Sequence, residues 1–315
     1  MTFYALRYLL VVTVVCFCCR RVGANETPPV SGDSTIRGRF GSSDIVITTT
    51  NRLAGAIHSL TWNGREFIDS FDHGRQLQSA SNLDCGKEFF PETFNPTEAG
   101  SRRDGAGPRS SSRLLEIRAR DNELFTRTRM AFWLVPGEKS GGHPAANTTA
   151  LSDHLLEKRV RIGHADLPNA IAYDVTFTLP EGEHHTYAQF EAVTGYMPAA
   201  FDTFWKFDAT ASTLRPLDDG PGEQPMPVVL STASGSHAMG IYSPDQPSKS
   251  FEAAGYGRWR FRAEKVMKWN CVFRIQNEKG VPAGDYRFRN VVVVGTREDV
   301  VNGLKRLTVP GVREE

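Results

Sequence analysis

The sequence has few cysteines, no excess of charge of one sign and none of three common catalytic motifs. Five cysteines occur in 315 residues, and 37 basic residues balance 36 acidic ones. A nucleic-acid-binding protein would carry a basic excess, so that class of partner is not expected. The chain lacks a phosphate-binding glycine loop, a His-Glu-x-x-His helix and a Gly-x-Ser-x-Gly turn. Nucleotide, zincin and α/β-hydrolase chemistry therefore lack support, and we predict no cofactor.

The first residues have the organisation of a secretory signal. Arg7 precedes an apolar run from Tyr8 to Cys19, and Val22-Gly23-Ala24 supplies small residues for a signal peptidase. The run is shorter than the ~20 residues that span a bilayer. Arginines and cysteines beside the run leave a retained or lipidated anchor as the alternative. We predict a signal peptide over residues 1–24, a flexible leader over residues 25–34, and a secreted or periplasmic protein without a transmembrane segment in its mature chain.

Removal of this signal leaves only two cysteines, Cys85 and Cys271. It also removes three arginines, which lowers the formal net charge from +1 to about −2. Two cysteines cannot form a disulfide framework, so an apolar core must hold the fold. The pair could remain as buried thiols or form one bridge, worth ~3–5 kcal/mol in the chain-entropy model. We predict the bridge, because both cysteines remain in an exported chain.

Short segments rich in β-branched and aromatic residues follow one another along the mature chain. In Ala170–Leu179, apolar residues alternate with threonines, which is the period of a half-buried strand. Asn63-Gly64 predicts a hairpin, because a type I′ turn needs positive φ at both central residues.

One helix is predicted near the C-terminus. Thr296 can cap it with Asp299 at the capping-box position, and Val300, Leu304 and Leu307 form one apolar stripe. Many strands and one helix predict an all-β protein, a large antiparallel β-sandwich that forms a single domain over residues 35–315.

Two long polar stretches, Asp69 to Arg113 and Pro198 to Pro227, do not fit the strand pattern. Loops of this length are usually functional, and their amides, carboxylates and guanidinium group match the hydroxyls of sugars. The predicted substrate-binding residues are Arg75, Gln78, Asn82, Asn95, Asp104 and Tyr196. The predicted catalytic residues are Glu98, Glu223 and His73, since glycoside hydrolysis uses two carboxylates.

We also predict that Arg75 and Glu223 share one pocket, because a two-layer β fold gathers distant loops. The alternative is that these polar loops only satisfy their own backbone.

Arginines recur at every second position of several predicted strands, opposite apolar residues. These sets are Arg118/Arg120, Arg127/Arg129, Arg159/Arg161, Arg258/Arg260/Arg262 and Arg287/Arg289. Neighbouring strands would combine them into a cationic face for an anionic polysaccharide. The alternative is a solvated face whose acids lie on adjacent strands. We predict no metal site, because the adjacent His184 and His185 cannot easily ligate one ion.

The segment from Gly55 to Phe67 resembles the opening hairpin of galactose-mutarotase-like proteins. Gly74-Arg75 with Asn82 is similar to the Gly-Arg-x-x-Asn sugar-binding segment of that superfamily, at a longer spacing. The resemblance implies a large twisted β-sandwich (a supersandwich) and a sugar ligand. The superfamily serves aldose epimerases, polysaccharide lyases and glycosidases. The chain also resembles secreted proteins of environmental bacteria.

These observations predict a secreted carbohydrate-active enzyme that acts on a poly- or oligosaccharide by glycoside hydrolase, lyase or epimerase chemistry. An anionic substrate is one option. The alternative function is a non-catalytic glycan-binding or cell-envelope module. Release of reducing ends, unsaturated products or altered anomers would distinguish the two.

Overall fold

A computed structural model describes residues 30–245 and 255–309 of the chain. The predicted signal peptide and residues 25–29 of the predicted leader lie outside the described residues. The last predicted leader residue, Ser34, begins the first strand.

The described residues form strands, two short 3₁₀ helices and one α-helix. The strands are β1 (Ser34–Phe40), β2 (Ser43–Thr49), β3 (Ile57–Trp62), β4 (Arg65–Glu66), β5 (Leu77–Leu83), β6 (Pro96–Thr97), β7 (Arg113–Arg120), β8 (Glu123–Phe132), β9 (Lys139–Ser140), β10 (His143–Pro144), β11 (Leu151–His164), β12 (Leu167–Leu179), β13 (Tyr187–Pro198), β14 (Thr203–Asp208), β15 (Thr213–Pro216), β16 (Gly222–Gln224), β17 (Val228–Ser231), β18 (Ala238–Tyr242), β19 (Tyr256–Phe261), β20 (Val266–Gln276), β21 (Gly284–Phe288) and β22 (Val291–Gly295). The helices are Asn51–Leu53 and Arg102–Asp104 (both 3₁₀) and α1 (Arg297–Thr308).

The strand pairings define two rows, which we call sheet A and sheet B. Sheet A has the order β1-β2-β3-β5-β13-β20-β19-β16, and sheet B has the order β7-β8-β11-β12-β22-β18-β17-β14-β15. The short β6 pairs with β5 and with β8, so it connects the two sheets. Each pairing between these strands is antiparallel.

Side chains from both sheets meet in one apolar core. Phe190 of β13 and Phe177 of β12 place their ring centroids 5.1 Å apart, and Cys271 of β20 lies in the same cluster. The inner faces of the two sheets therefore pack against each other. The predicted all-β fold, a large antiparallel sandwich, is confirmed.

The C-terminal helix is also confirmed. The Thr296 hydroxyl accepts a hydrogen bond from the Asp299 N–H at 3.1 Å, and the Asp299 carboxylate accepts one from the Thr296 N–H at 2.9 Å. Val300 and Leu304 are buried in a second apolar cluster with Val293 of β22. The next residue, Val294, belongs to the inner core instead. Alternation along β22 thus gives sheet B an inner face for sheet A and an outer face for α1.

The hairpin prediction is confirmed, but the two long polar stretches are not structureless. Asn63 and Gly64 have φ values of 47° and 71°, and Trp62 pairs with Arg65. The first polar stretch contains β5 and β6, and the second contains β14, β15 and β16. β5 carries small and amide residues rather than β-branched ones, yet it pairs with the long β13. Its neighbour in the sheet therefore overrides a weak local propensity.

The predicted disulfide is wrong. Cys85 and Cys271 are both free thiols. Burial raises the pKa of the Cys271 thiol, which lies in the core strand β20. Burial also raises the pKa of Cys85 to about 12, with further contributions from the carboxylates of Glu183 and Asp84. The fold is held by its apolar core. No helix among the described residues is long and apolar enough to span a membrane.

Candidate functional site

Polar side chains cover the outer face of the central strands of sheet A. On β13, Ala188 and Phe190 belong to the core, while Gln189 and Glu191 point to the opposite face. Strand register extends this face across the sheet, because paired residues of an antiparallel ladder share one side. One row of paired residues runs from Gln78 through Thr194, Asn270 and Gly257 to Glu223.

We call this surface the polar face. Its members are Gln78 and Asn82 on β5, Tyr187, Gln189, Glu191, Thr194 and Tyr196 on β13, Lys268, Asn270 and Arg274 on β20, Trp259 on β19 and Glu223 on β16.

The first group of contacts on the polar face surrounds the side chain of Lys268. Its ammonium lies 3.3 Å from the Glu191 carboxylate, and each of these two side chains is 15% exposed. It also lies 4.8 Å from the centre of the Trp259 ring and 5.3 Å from that of Tyr196. Glu191 accepts further hydrogen bonds from Thr194 (2.8 Å) and Asn270. We call these six residues the lysine cluster. It combines a cation, an anion and two aromatic rings at a partly open surface.

Glycine at position 257 makes room for this cluster. The Gly257 N–H donates to the Asn270 side-chain oxygen at 3.0 Å. A Cβ at this position would collide with the Trp259 ring and with that oxygen. The indole therefore lies across the strand only because residue 257 has no side chain.

The charges of the lysine cluster stabilise each other. Burial disfavours the Glu191 carboxylate, but Lys268 and the hydrogen bonds from Thr194 and Asn270 outweigh burial, so the Glu191 pKa is lowered. Burial also disfavours the Lys268 ammonium, but Glu191 and Tyr196 outweigh it, so the Lys268 pKa is raised. Burial and Glu191 together raise the pKa of Tyr196. At neutral pH the cluster thus holds a carboxylate, an ammonium and a neutral phenol.

A second group of contacts lies farther along β20, around Arg274. Its guanidinium donates to the Glu223 carboxylate at 2.7 Å and to the Gln189 side-chain oxygen at 3.2 Å. The Tyr187 hydroxyl donates to the same Gln189 oxygen at 3.3 Å. Burial disfavours the charged guanidinium, but Glu223 outweighs burial and raises the Arg274 pKa. We call these four residues the arginine cluster.

Four residues predicted from the sequence lie on the polar face. They are Gln78, Asn82, Tyr196 and Glu223. The Gln78 amide donates to the Gly74 carbonyl at 3.0 Å, and the Asn82 oxygen accepts from the Glu92 N–H at 2.9 Å. Both amides therefore hold flanking loops against the face. Tyr196 and Glu223 instead belong to the lysine and arginine clusters.

Glu98 does not lie in an open loop, and that expectation is wrong. Its side chain has no exposed surface, and it forms an ion pair with the equally buried Lys158 of β11. The second carboxylate oxygen accepts from the Ser79 N–H at 3.1 Å. Because β6 joins the two sheets, the residue that follows it is carried into the interior.

Three other predicted residues, His73, Asp104 and Asn95, connect loops through hydrogen bonds to backbone groups. The ring nitrogens of His73 lie 2.7 Å from the Gly105 carbonyl and 2.9 Å from the Arg52 carbonyl. The Asp104 carboxylate accepts from the Ser101 and Ser111 N–H groups, both at 2.8 Å.

Asn95 is similarly buried, and its amide donates to the Ser81 carbonyl. Each contact binds a side chain to backbone, as the alternative interpretation of these loops expects.

Arg75 lies at one edge of the polar face. Its guanidinium is 3.2 Å from the Asp72 carboxylate and 3.9 Å from that of Asp69. The Asp69 N–H donates to the Tyr196 carbonyl at 2.8 Å, which places this loop beside the lysine cluster. Glu223 lies on β16 at the opposite edge, four inter-strand steps or ~19 Å of sheet from β5. Within the described part of the chain the two residues have no partner in common, and their shared pocket stays a prediction.

The arginines at alternate positions of the strands either line a cavity or pair with acidic residues. Arg118, Arg120, Arg159, Arg161 and Arg289 line a cavity of about 550 Å³ together with the acids Glu123 and Asp174. Many arginines of these strands also pair with acids, as in Arg118–Glu116 (3.2 Å), Arg127–Glu157 (3.5 Å) and Arg287–Asp285 (3.8 Å). This agrees with the solvated-face alternative.

On β19 the expected orientation is reversed. Arg258 is buried and bonds to Asp218 and Gln224, while Trp259 occupies the polar face. The alternation was visible in the sequence, but the side that faces solvent was not.

Sequence reasoning missed Glu191, Trp259, Lys268 and Arg274. A signal for three of them exists, because polar residues alternate with apolar ones along β13 and β20. Two facing strands that each carry charges at alternate positions indicate a polar sheet face rather than a loop site.

Comparison with known proteins gives similarity of fold only. No family model and no curated protein matches the chain. A putative aldose 1-epimerase from Escherichia coli K12 is 8% identical with a TM-score of 0.46, and the alignment covers 84% of this chain and 99% of that one. A putative mutarotase from Salmonella typhimurium is 10% identical with a TM-score of 0.35, covering 83% and 93%. An α-mannosidase from Enterococcus faecalis V583 is 10% identical with a TM-score of 0.47, covering 82% of this chain and 30% of that one.

The structures similar to this chain thus include a putative aldose 1-epimerase and a putative mutarotase, at TM-scores below 0.5. Such distant similarity carries no argument about ligand or reaction.

Proposed function

We propose that this protein is exported and binds an oligosaccharide or polysaccharide on the polar face. The observation that supports this most is the lysine cluster, where two aromatic rings, an ammonium and a carboxylate converge on a partly exposed sheet surface. A sugar ring needs both an aromatic surface for its C–H groups and charged or polar groups for its hydroxyls. The cluster offers these groups side by side.

The polar face is long enough for a chain of sugars. Lys268 and Arg274 are six residues apart on β20, which corresponds to ~20 Å of strand. In this proposal Trp259 and Tyr196 receive one ring, while Arg274 donates to another and Gln189 donates to it or accepts from it. An extended glycan therefore suits the surface better than a single monosaccharide.

The charge balance of the polar face favours a neutral glycan. Lys268 pairs with Glu191, and Arg274 pairs with Glu223. No cationic excess remains in these two clusters to select a carboxylate or sulfate group. An anionic polysaccharide remains the alternative ligand, and binding only to such a polymer would count against the polar face.

Binding is proposed ahead of catalysis because of the charge states in the lysine cluster. Proton transfer near neutral pH works best with a group whose pKa lies near the working pH. The lowered pKa of Glu191 and the raised pKa of Lys268 keep both groups charged there. Glycoside hydrolase, lyase or epimerase chemistry is the second candidate function and requires a product to be detected.

A glycan panel with purified protein tests the proposal, with binding measured by calorimetry and products by reducing-end, absorbance and anomer assays. Trp259→Ala should weaken binding by at least about tenfold, because the sugar loses its contact with one aromatic ring. Trp205→Ala is the matched control, because that tryptophan packs beside α1 and contacts Arg297 instead. Absence of binding to any glycan, or equal losses in both variants, would reject the proposed face. Turnover of a bound glycan would instead establish the enzyme.

A further inference from the structure

Two histidines and a glutamate converge outside the polar face. The Nε2 atoms of His154 and His185 lie 2.7 Å and 2.9 Å from the same Glu183 carboxylate oxygen. One donor atom from each residue lies within 4.8 Å of the others. His154 comes from β11 of sheet B, while Glu183 and His185 lie in the connection from β12 to β13. The cluster therefore links the two sheets.

We propose that His154, Glu183 and His185 form a binding site for one divalent transition-metal ion of the zinc class. Two imidazole nitrogens and one carboxylate oxygen are a donor set that zinc uses when a further position stays open. Around a tetrahedral ion the donor atoms would lie ~3.3 Å apart. The observed separations of 2.7 and 2.9 Å need to increase by only about half an ångström to reach that spacing.

The cluster has an open side. Glu183 and His185 line a cavity of about 390 Å³, together with Phe94, Phe132 and Asn147. Asn147 is buried, and its side-chain oxygen has no hydrogen-bond partner within the described part of the chain. An unpartnered acceptor in this wall suits a water molecule or another ligand on the ion.

The surroundings hold the imidazoles in place. The Phe94 ring lies 5.9 Å from His154 and 5.3 Å from His185, centre to centre. The Nδ1 atom of His185 is 3.8 Å from the Asp84 carboxylate, which could orient a metal-bound imidazole. The Cys85 N–H that now lies 3.3 Å from the same nitrogen would have to turn away.

Hydrogen bonding alone leaves this cluster incomplete. When both imidazoles are neutral and donate to Glu183 through Nε2, each Nδ1 is an acceptor. His185 then accepts from Cys85, but the buried Nδ1 of His154 has no partner among the described residues.

Metal titration of the purified, tag-free protein tests the proposal. After removal of metal by a chelator, ZnCl₂ should bind with one ion per chain by calorimetry and elemental analysis. CoCl₂ should produce visible absorption bands of a low-coordinate site, and MgCl₂ should not bind.

Glu183→Gln and His185→Gln should each lower zinc affinity by at least about 100-fold. Removing a residue that only supports a metal ligand costs up to about 100-fold, and these two residues would contact the ion directly. His184→Gln is the matched control, because this neighbouring histidine is exposed and outside the cluster. It should bind zinc like the unchanged protein.

Failure of the unchanged protein to bind zinc would overturn the proposal, as would an equal loss in the His184 variant. Glu183→Gln keeps the shape of a side chain that is 27% exposed, so it remains informative if His185→Gln does not fold. Circular dichroism of each variant distinguishes loss of the ion from loss of the fold.

Discussion

Replacement of Lys158 by methionine tests whether Glu98 serves the core. Methionine keeps most of the volume of lysine but leaves the Glu98 carboxylate buried with the Ser79 N–H as its remaining described hydrogen-bond donor. Breaking a buried ion pair from one side costs about 3–5 kcal/mol. For a chain of this size that corresponds to a fall in Tm of roughly 5–8 °C.

The double variant Lys158→Met/Glu98→Gln provides the comparison. It removes both charges and should recover most of the loss, because no unpaired charge stays in the interior. Urea unfolding of the unchanged protein, both single variants and the double variant gives the coupling free energy. A cost below about 1 kcal/mol for Lys158→Met would refute the reasoning, and so would additive losses in the double variant. Glycan binding by folded Glu98→Gln should be unchanged.

Three further outcomes are expected. Because the Glu191 pKa is lowered, its contribution to stability is present above its unfolded pKa of about 4.3 and is lost as the pH falls through the folded value. Urea midpoints between pH 3 and 7 should therefore fall more steeply on the acid side for the unchanged protein than for Glu191→Gln, and equal slopes would contradict this. Gly257→Ala should weaken glycan binding by displacing Trp259, as measured by calorimetry, with the circular dichroism spectrum retained; unchanged binding would count against the role of the indole. A denatured, unreduced chain beginning at residue 25 should show two titratable thiols, Cys85 and Cys271, whereas a chain without titratable thiols would restore the disulfide.

Local patterns in the sequence were sufficient for the hairpin, the helix and the fold class, but not for strands such as β5. The hairpin at Asn63-Gly64 and the capping box of Thr296 and Asp299 involve residues that are close in the chain. Their geometry follows from backbone φ preferences and hydrogen bonds within a few residues. Strand alternation likewise indicated an antiparallel β-sandwich, because it needs only a buried and an exposed side.

Contacts between distant strands decided the candidate site. Alternating charges along β13 and β20 are visible in the sequence, but the register that sets Lys268 beside Glu191 is not. The same holds for Glu98, which looked like a loop acid until Lys158, sixty positions away, was found beside it. The sequence by itself determined the fold class, the hairpin and the helix, because short-range backbone preferences and periodicity control them. Only the tertiary structure decided which polar side chains form the polar face, the buried pair and the histidine cluster, because strand register and sheet packing bring together residues that no local pattern connects.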